Sequence, residues 1–171
     1  RRWPDGGTYS GQFASGELHG EGMYISAQGD QYEGQYKSNV REGEGRLTAS
    51  NGDRYEGEFA RHRMNGNGAM HYADGGVYKG EWSASMRCGN GHMVWSGGDE
   101  FEGKWEDDMA CGEGLFSHPA GYERDGEWEK SEPSTVARRA EFFAWAPPPT
   151  ELTFEGAVIA LESPPPPEGE G

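Results

Sequence analysis

Residues 29–36 read GDQYEGQY, and this short stretch decides the fold because the chain repeats it. Tyr32, Gly34 and Tyr36 alternate with polar residues, the spacing that places side chains on one face of a β-strand. The same order of glycines and aromatic residues returns every 23 residues, without insertion or deletion. A fixed period of about 20–50 residues is typical of stacked repeats, in which each unit buries its apolar side against its neighbours.

Four glycine positions and two aromatic positions recur at this period. A glycine in the middle of a strand marks the close approach of another group. We therefore interpret the glycine between the two aromatic residues as a slot that receives a ring from the adjacent strand. The slot glycines are Gly11, Gly34, Gly57, Gly80, Gly103 and Gly126.

Each unit also contains a second apolar strand. The sequence Gly43-Glu44-Gly45 precedes Leu47, and Gly-x-Gly with a following apolar residue recurs in phase. The polar residues 37–42 between the two strands predict a turn of several residues. The dipeptides Asn51-Gly52 and Asp74-Gly75 come after the second strand and favour a hairpin turn. The sequence therefore predicts an all-β fold, an elongated single-layer antiparallel meander in which each 23-residue hairpin adds about 10 Å.

This arrangement resembles the MORN repeat (membrane occupation and recognition nexus). The resemblance covers residues 5–130, as five full units and a partial sixth, in which Arg124 stands where an aromatic residue is expected. We expect the partial unit to end the array. Trp3 is in phase with Trp95, so residues 1–4 are interpreted as the remnant of a preceding repeat. Residues 131–171 are interpreted as a C-terminal cap or docking tail with a Pro-rich end.

Charge narrows the choice of partners. The chain has 30 acidic and 15 basic residues, a net charge of −15. Such a surface repels nucleic acid and anionic lipid, so we expect no nucleic-acid partner, and a membrane surface is disfavoured. The charge serves either to keep a flat sheet in solution or to attract a basic partner. Cys88 and Cys111 share a phase in adjacent units and should lie about 10 Å apart, too far for a disulfide. Reduced thiols indicate a cytoplasmic protein.

The residue types needed for catalysis are not grouped in the sequence. The five histidines lack the Cys, His and carboxylate spacing of a zinc site. Gly-x-Gly recurs in every unit without the third glycine and helix of a dinucleotide site, and there is no P-loop. The sequence therefore predicts no catalytic residues, no metal site and no cofactor.

The family resemblance implies a scaffold or adaptor that binds a protein partner along an aromatic- and Gly-lined groove. The partner would be a helix or an extended segment, within a cytoskeletal assembly that includes cilia and flagella as candidates. A second copy of the chain is a further candidate partner. The competing interpretation of the aromatic residues is packing within the protein. The predicted partner-binding residues are Tyr32, Tyr36, Tyr55, Phe59, Tyr78, Trp82, Phe101 and Trp105.

The family's name suggests an alternative, a phosphoinositide- or membrane-binding module. Phosphate recognition needs clustered Lys and Arg. The richest basic runs are Arg61-His62-Arg63 and Arg138-Arg139, within a strongly acidic chain.

The tail differs in kind from the repeats. Ser134-Thr135 caps a predicted short helix that Pro147 must end, residues 152–161 predict a strand, and residues 164–167 predict polyproline. The tail either covers the open edge of the array or docks on another chain. Its candidate docking residues are Phe142, Phe143, Trp145, Phe154, Val158 and Ile159.

Overall fold

The computed structural model describes residues 1–131 and two short strands, Glu151–Phe154 and Ala157–Ala160. The chain divides into two units, Arg1–Pro133 and Ser134–Gly171, and each is described by itself. The predicted helix over residues 134–145 and the polyproline segment lie outside the described residues. So do the candidate docking residues Phe142, Phe143 and Trp145.

The first unit is one open antiparallel sheet of eleven strands that pair in chain order. The prediction of an all-β, single-layer antiparallel meander is confirmed, and residues 1–131 contain no helix. A full repeat contributes a seven-residue strand and a nine-residue strand. The strands are β1 (Thr8–Ala14), β2 (Glu17–Ile25), β3 (Gln31–Lys37), β4 (Val40–Thr48), β5 (Arg54–Ala60), β6 (Arg63–His71), β7 (Val77–Ser83), β8 (Met86–Val94), β9 (Glu100–Glu106), β10 (Met109–Ser117) and β11 (Glu123–Ser131).

The turn inside each hairpin is shorter than predicted. Between β3 and β4 it has only two residues, Ser38 and Asn39, both at positive φ (47° and 67°). Two central residues at positive φ make the turn whose twist matches that of the flanking strands. The expectation of a turn of several residues was wrong because the polar residues on either side belong to the strands. The same two-residue turn recurs at residues 61–62, 84–85 and 107–108.

The turn between hairpins has the glycine that the sequence predicts. In residues 49–53 the Ala49 amide donates to the Asp53 carbonyl at 2.8 Å, and the Gly52 amide donates to the Ala49 carbonyl at 2.9 Å. Gly52 has φ of 100°, a region that side chains disfavour. The same two hydrogen bonds close the turn that begins at Trp3, so Trp3 and Ala49 are structurally equivalent.

The core lies along one face of the sheet. In β3, Tyr32, Gly34 and Tyr36 are buried and the residues between them are exposed, which confirms the predicted alternation. The Tyr32 ring packs edge-to-face against Tyr36 at 5.2 Å and against Phe59 of the next repeat at 5.0 Å. Such ring pairs recur along the array, so each repeat is packed against its neighbour through aromatic contacts.

The aromatic slot belongs to a different glycine than predicted. Gly34 pairs across the strands with Gly45, and a Cβ on Gly34 would lie 2.5 Å from the Gly45 Cα. A Cβ on Gly45 would lie 2.5 Å from the Tyr32 hydroxyl, so the ring from the adjacent strand covers Gly45. The ring near Gly34 comes from its own strand. Tyr32 pairs with Leu47 across the two strands, and its ring extends along the strand direction to the facing pair Gly34 and Gly45. The ring therefore covers the glycine of the neighbouring strand.

The second unit contains a pair of antiparallel strands, β12 (Glu151–Phe154) and β13 (Ala157–Ala160). The sequence predicted one strand through residues 152–161, and this was wrong. Two short strands satisfy each other's backbone groups, as the pairing of Phe154 with Ala157 shows. Phe154, Val158 and Ile159 lie on these strands, and their docking role stays a prediction.

Candidate functional site

The eight predicted partner-binding residues all lie in the core of the sheet. Their exposed fractions are between 0% and 6%. Polar atoms of several of these rings bond within the protein, as when the Tyr32 hydroxyl donates to the Gln35 carbonyl at 3.0 Å and the Trp82 indole donates to the Gly68 carbonyl at 3.2 Å. Burial raises the pKa of Tyr32 to about 12. Two of the eight, Tyr32 and Tyr36, form the floor of a groove, and direct contact of the eight rings with a partner stays a prediction.

An open groove of about 620 Å³ lies over the rings of the first repeats. Its walls combine apolar side chains, such as Tyr24 and Leu47, with polar and charged ones, and the buried Tyr32 and Tyr36 rings form its floor. Among the described residues that line it there is no glycine, because the glycines lie beneath the rings. The lining residues are Trp3, Asp5, Leu18, Tyr24, Ser26, Asp30, Gln31, Tyr32, Tyr36, Asn39, Arg41, Leu47, Ala49 and His62.

The groove is open because two equivalent positions carry small residues. At the first residue of the turn between hairpins, Trp95 packs on Phe116 with ring centroids 6.4 Å apart. Trp3 packs edge-to-face on the equivalent partner residue, Tyr24, at 5.6 Å. In the intervening repeats this position is Ser26, Ala49 and Tyr72, and the two small residues, Ser26 and Ala49, line the groove. The absence of a large ring at these two places leaves the space that a ligand needs.

Arg41 brings a positive charge to the groove. Its guanidinium lies over the Tyr32 ring at 5.2 Å and over the Phe59 ring at 5.7 Å. It donates to the His62 carbonyl at 3.1 Å. None of the ion pairs formed between described residues includes Arg41. The charge is therefore held by aromatic faces and a carbonyl dipole, without a carboxylate.

His62 joins the Arg41 strand to the next repeat. Its Nδ1 accepts the Arg41 backbone N–H at 3.4 Å, and its own amide donates to the Arg41 carbonyl at 3.1 Å. Burial, together with the charge of Arg41, lowers the pKa of His62. Asn39 and Asp108 make the same contact in other repeats, accepting the N–H of Leu18 and of Arg87 at 2.9 Å each.

Sequence reasoning missed this contact between repeats. The signal was present, since the second residue of the tight turn is a hydrogen-bond acceptor in four successive units. It could be recognised only once the turn was known to have two residues. The four acceptors are Asn39, His62, Ser85 and Asp108.

Acidic residues gather on the opposite face. Glu21, Glu33, Glu44 and Glu56 surround a shallow depression above the facing glycines. Arg46 lies there as well and pairs with Glu56 at 2.7 Å. The basic run at residues 61–63 does not converge on the groove, where only its histidine is among the lining residues.

The described residues show no arrangement for a metal. No group of three or more His, Cys, Asp or Glu within them is placed to hold an ion. Cys88 and Cys111 are free, partly buried thiols, and burial raises the pKa of Cys88. The described part of the chain also has no helix of the length and apolarity that a membrane crossing requires.

A sheet built of stacked hairpins with a 23-residue period is the architecture of a repeat protein. The family model of the MORN repeat matches five consecutive segments of the chain, residues 9–31, 32–54, 55–77, 78–100 and 101–121. The chain therefore belongs to the MORN-repeat family, as the sequence resemblance indicated.

A search of the curated proteins returns no match. Among solved structures, the chain is similar to the SAS-4 (dCPAP) TCP domain in complex with a Proline Rich Motif of Ana2 (dSTIL) of Drosophila melanogaster. The two are 11% identical, the match covers 74% of this chain and 81% of that chain, and the TM-score is 0.41. A similarity at this level carries no argument about function.

Proposed function

We propose that the protein is a non-catalytic scaffold that binds a segment of another protein in the groove over its first repeats. The observation that carries the proposal is the groove itself, kept open by Ser26 and Ala49 above a floor of buried rings. Binding sites are commonly concave and apolar, with a few polar groups that orient the ligand. The groove combines apolar walls, such as Leu47 and Tyr24, with polar groups that include Arg41.

The floor of the groove is held rigid before any ligand arrives. Tyr32 contacts Tyr36 and Phe59, and its hydroxyl is bonded to the backbone. A preformed surface lowers the ordering cost of binding. A helix or an extended segment that places apolar side chains between Leu47 and Tyr24 would gain affinity without reshaping the sheet.

Several polar groups in the groove are already engaged in the fold, which supports binding rather than catalysis. Asp30 accepts the Ser50 backbone N–H at 2.8 Å, and His62 accepts that of Arg41. Neither is positioned as the base of a nucleophile. The phosphoinositide alternative has weaker support, because headgroup recognition needs several clustered basic side chains and this groove has one arginine.

The proposal also includes the location of the protein in the cell. Membership of the MORN-repeat family and the free thiols support a cytoplasmic, cytoskeleton-associated protein, with the cilium or flagellum as a candidate location. A second copy of the chain remains a candidate partner.

The substitution Ala49→Trp tests the groove directly. It places in the groove the residue that Trp95 places at the equivalent position, so the sheet should accept it. Peptides selected by the full chain from a random phage-displayed library should bind the variant at least about tenfold more weakly, since the apolar site is filled. Fluorescence anisotropy measures the affinity and circular dichroism the fold.

Ala14→Trp is the matched control, because Ala14 is exposed and does not line the groove. It should bind the selected peptides as the unmodified chain does. Equal affinity for the unmodified chain and Ala49→Trp would refute the groove as the binding site.

A further inference from the structure

Two arginines occupy equivalent places in the array but have different electrostatic surroundings. Arg41 and Arg87 are 46 residues apart, which is two repeats of 23. Each is the second residue of a nine-residue strand, Arg41 in β4 and Arg87 in β8. Each guanidinium lies over two aromatic rings. For Arg87 the rings are Tyr78 at 5.7 Å and Trp105 at 4.4 Å.

Arg87 is neutralised within the protein. The Asp108 carboxylate lies 3.0 Å from its Nε and also accepts its backbone N–H at 2.9 Å. The Asp108 carbonyl accepts a further bond from the guanidinium at 2.8 Å. The turn residue of the next repeat thus supplies both the backbone contact and the counter-charge.

At Arg41 the same turn position is His62, which supplies the backbone contact without the counter-charge. The His62 carbonyl accepts from the guanidinium as the Asp108 carbonyl does, and the imidazole accepts the backbone N–H. The lowered pKa of His62 is consistent with a neutral ring beside this arginine. Arg41 therefore lines the groove with a partly buried positive charge that forms no ion pair with any carboxylate of the described residues.

Two carboxylates also line the groove, and both are bonded in turns. Asp30 accepts the Ser50 N–H at 2.8 Å, and Asp5 accepts the Gly7 N–H at 2.9 Å. Neither forms an ion pair with Arg41 among the described residues. They add negative charge to the groove, so a ligand with several negative charges would be repelled. A single carboxylate aimed at the guanidinium would be accepted.

We propose that Arg41 is the specificity-determining residue of the groove and pairs with an Asp or Glu side chain of a bound peptide. The carboxylate gives the Arg41 guanidinium the counter-charge that Asp108 gives Arg87, and apolar residues next to it in the peptide pack against Leu47 and Tyr24. The planar guanidinium suits two-point binding of a carboxylate, and such bonds strengthen where water is partly excluded. The proposal rests on the proposed function, since it names the chemistry of the same peptide.

The test is to place a carboxylate of the protein itself beside the Arg41 guanidinium. The substitution His62→Asp recreates at Arg41 the pair that Asp108 makes with Arg87. His62→Asn is the matched control, because it has the size of Asp without the charge and because Asn39 is the natural residue at the equivalent position. Thermal unfolding should show both variants folded.

Peptides selected by the full chain from a random phage-displayed library are the probe. We expect the selected peptides to be enriched in Asp or Glu beside apolar residues. We expect His62→Asp to bind them about tenfold or more weakly than His62→Asn does, since only the Asp variant has an internal carboxylate that competes for the guanidinium. Replacing the peptide's Asp or Glu by Asn or Gln should cause the same loss in the unmodified chain.

Other outcomes separate this inference from the proposed function. If Ala49→Trp abolishes binding but His62→Asp and His62→Asn bind equally, peptides use the groove and the role of Arg41 is wrong. If no peptide is selected, or Ala49→Trp binds normally, the proposed function fails and this inference fails with it. A third outcome is that no peptide is selected and that the chain binds phosphoinositide vesicles but not phosphatidylcholine vesicles. If His62→Asp also loses this vesicle binding, the ligand is a lipid, and both the proposed function and this inference are overturned.

Discussion

At the scale of single residues, the close approach of two strands depends on glycines that face each other beneath an aromatic ring. Gly34 and Gly45 form such a pair, and the Tyr32 ring lies over Gly45. The ring cannot move aside easily, because it is 1% exposed and its hydroxyl is bonded to a carbonyl. At Gly45 a glycine is needed because there is no space for a side chain, whereas at Gly52 a glycine is needed because the backbone has a positive φ.

The substitution Gly45→Ala should therefore destabilise the protein by about 1–3 kcal/mol, since the added methyl overpacks a fixed ring. Its Cβ would lie 2.5 Å from the Tyr32 hydroxyl. Urea unfolding followed by circular dichroism measures the change. Gly76→Ala is the control, because its nearest contact is the Asp74 carboxylate at 3.2 Å and its φ is not positive. Equal losses in the two variants would contradict the argument.

At the scale of elements, the tight turn of each hairpin also contacts the preceding repeat. Asn39 accepts the Leu18 N–H at 2.9 Å, and its own amide donates to the Leu18 carbonyl at 2.9 Å. The residue must hold a positive φ and present an acceptor at once. Asn does both at low cost, because its short polar side chain tolerates the left-handed region.

Asn39→Ala should cost about 1–3 kcal/mol, because it loses the side-chain bond and places a Cβ in a strained conformation. Asn39→Gly removes the same bond but relieves the strain, so its loss should be smaller. Denaturant unfolding of the two variants separates the contributions. If Asn39→Ala unfolds at the same denaturant concentration as the unmodified chain, the contact between turn and repeat adds nothing to stability.

At the scale of the whole unit, the sheet builds its core along its length rather than between two layers. Trp82 shows this, with ring centroids 5.4 Å from Tyr55 of the preceding repeat and 5.1 Å from Tyr78 of its own. An interior ring has neighbours on both sides. Phe13, at the corresponding place in β1, contacts the Tyr9 ring at 5.2 Å and is 46% exposed.

Trp82→Ala should consequently cost about 3–5 kcal/mol, the range for removing a large buried aromatic ring, whereas Phe13→Ala should cost clearly less. Both changes are read from unfolding curves monitored by circular dichroism, so that loss of the tryptophan does not affect the signal. Similar costs at the two positions would show that contacts between repeats contribute little to stability.

The sequence by itself determined the period, the strand order and the family. These depend on local alternation, as at Tyr32, Gly34 and Tyr36, and on spacing that never shifts. Neighbouring units then pair in only one register, because a slip by one residue would turn the aromatic side chains to the other face. The fold class could thus be predicted without tertiary information.

Only the tertiary structure decided which residues form the groove. The eight aromatic residues were predicted to meet a partner; in the sheet, rings from successive repeats pack on one another, and Tyr32 and Tyr36 line the groove. The opening lies at Ser26 and Ala49, whereas Trp3 and Trp95 at equivalent positions pack on rings of the following repeat. The missing counter-charge of Arg41 depends on His62, 21 residues away, which a two-residue turn brings beside it. Such contacts follow from register and turn length, which the repeat pattern alone does not specify.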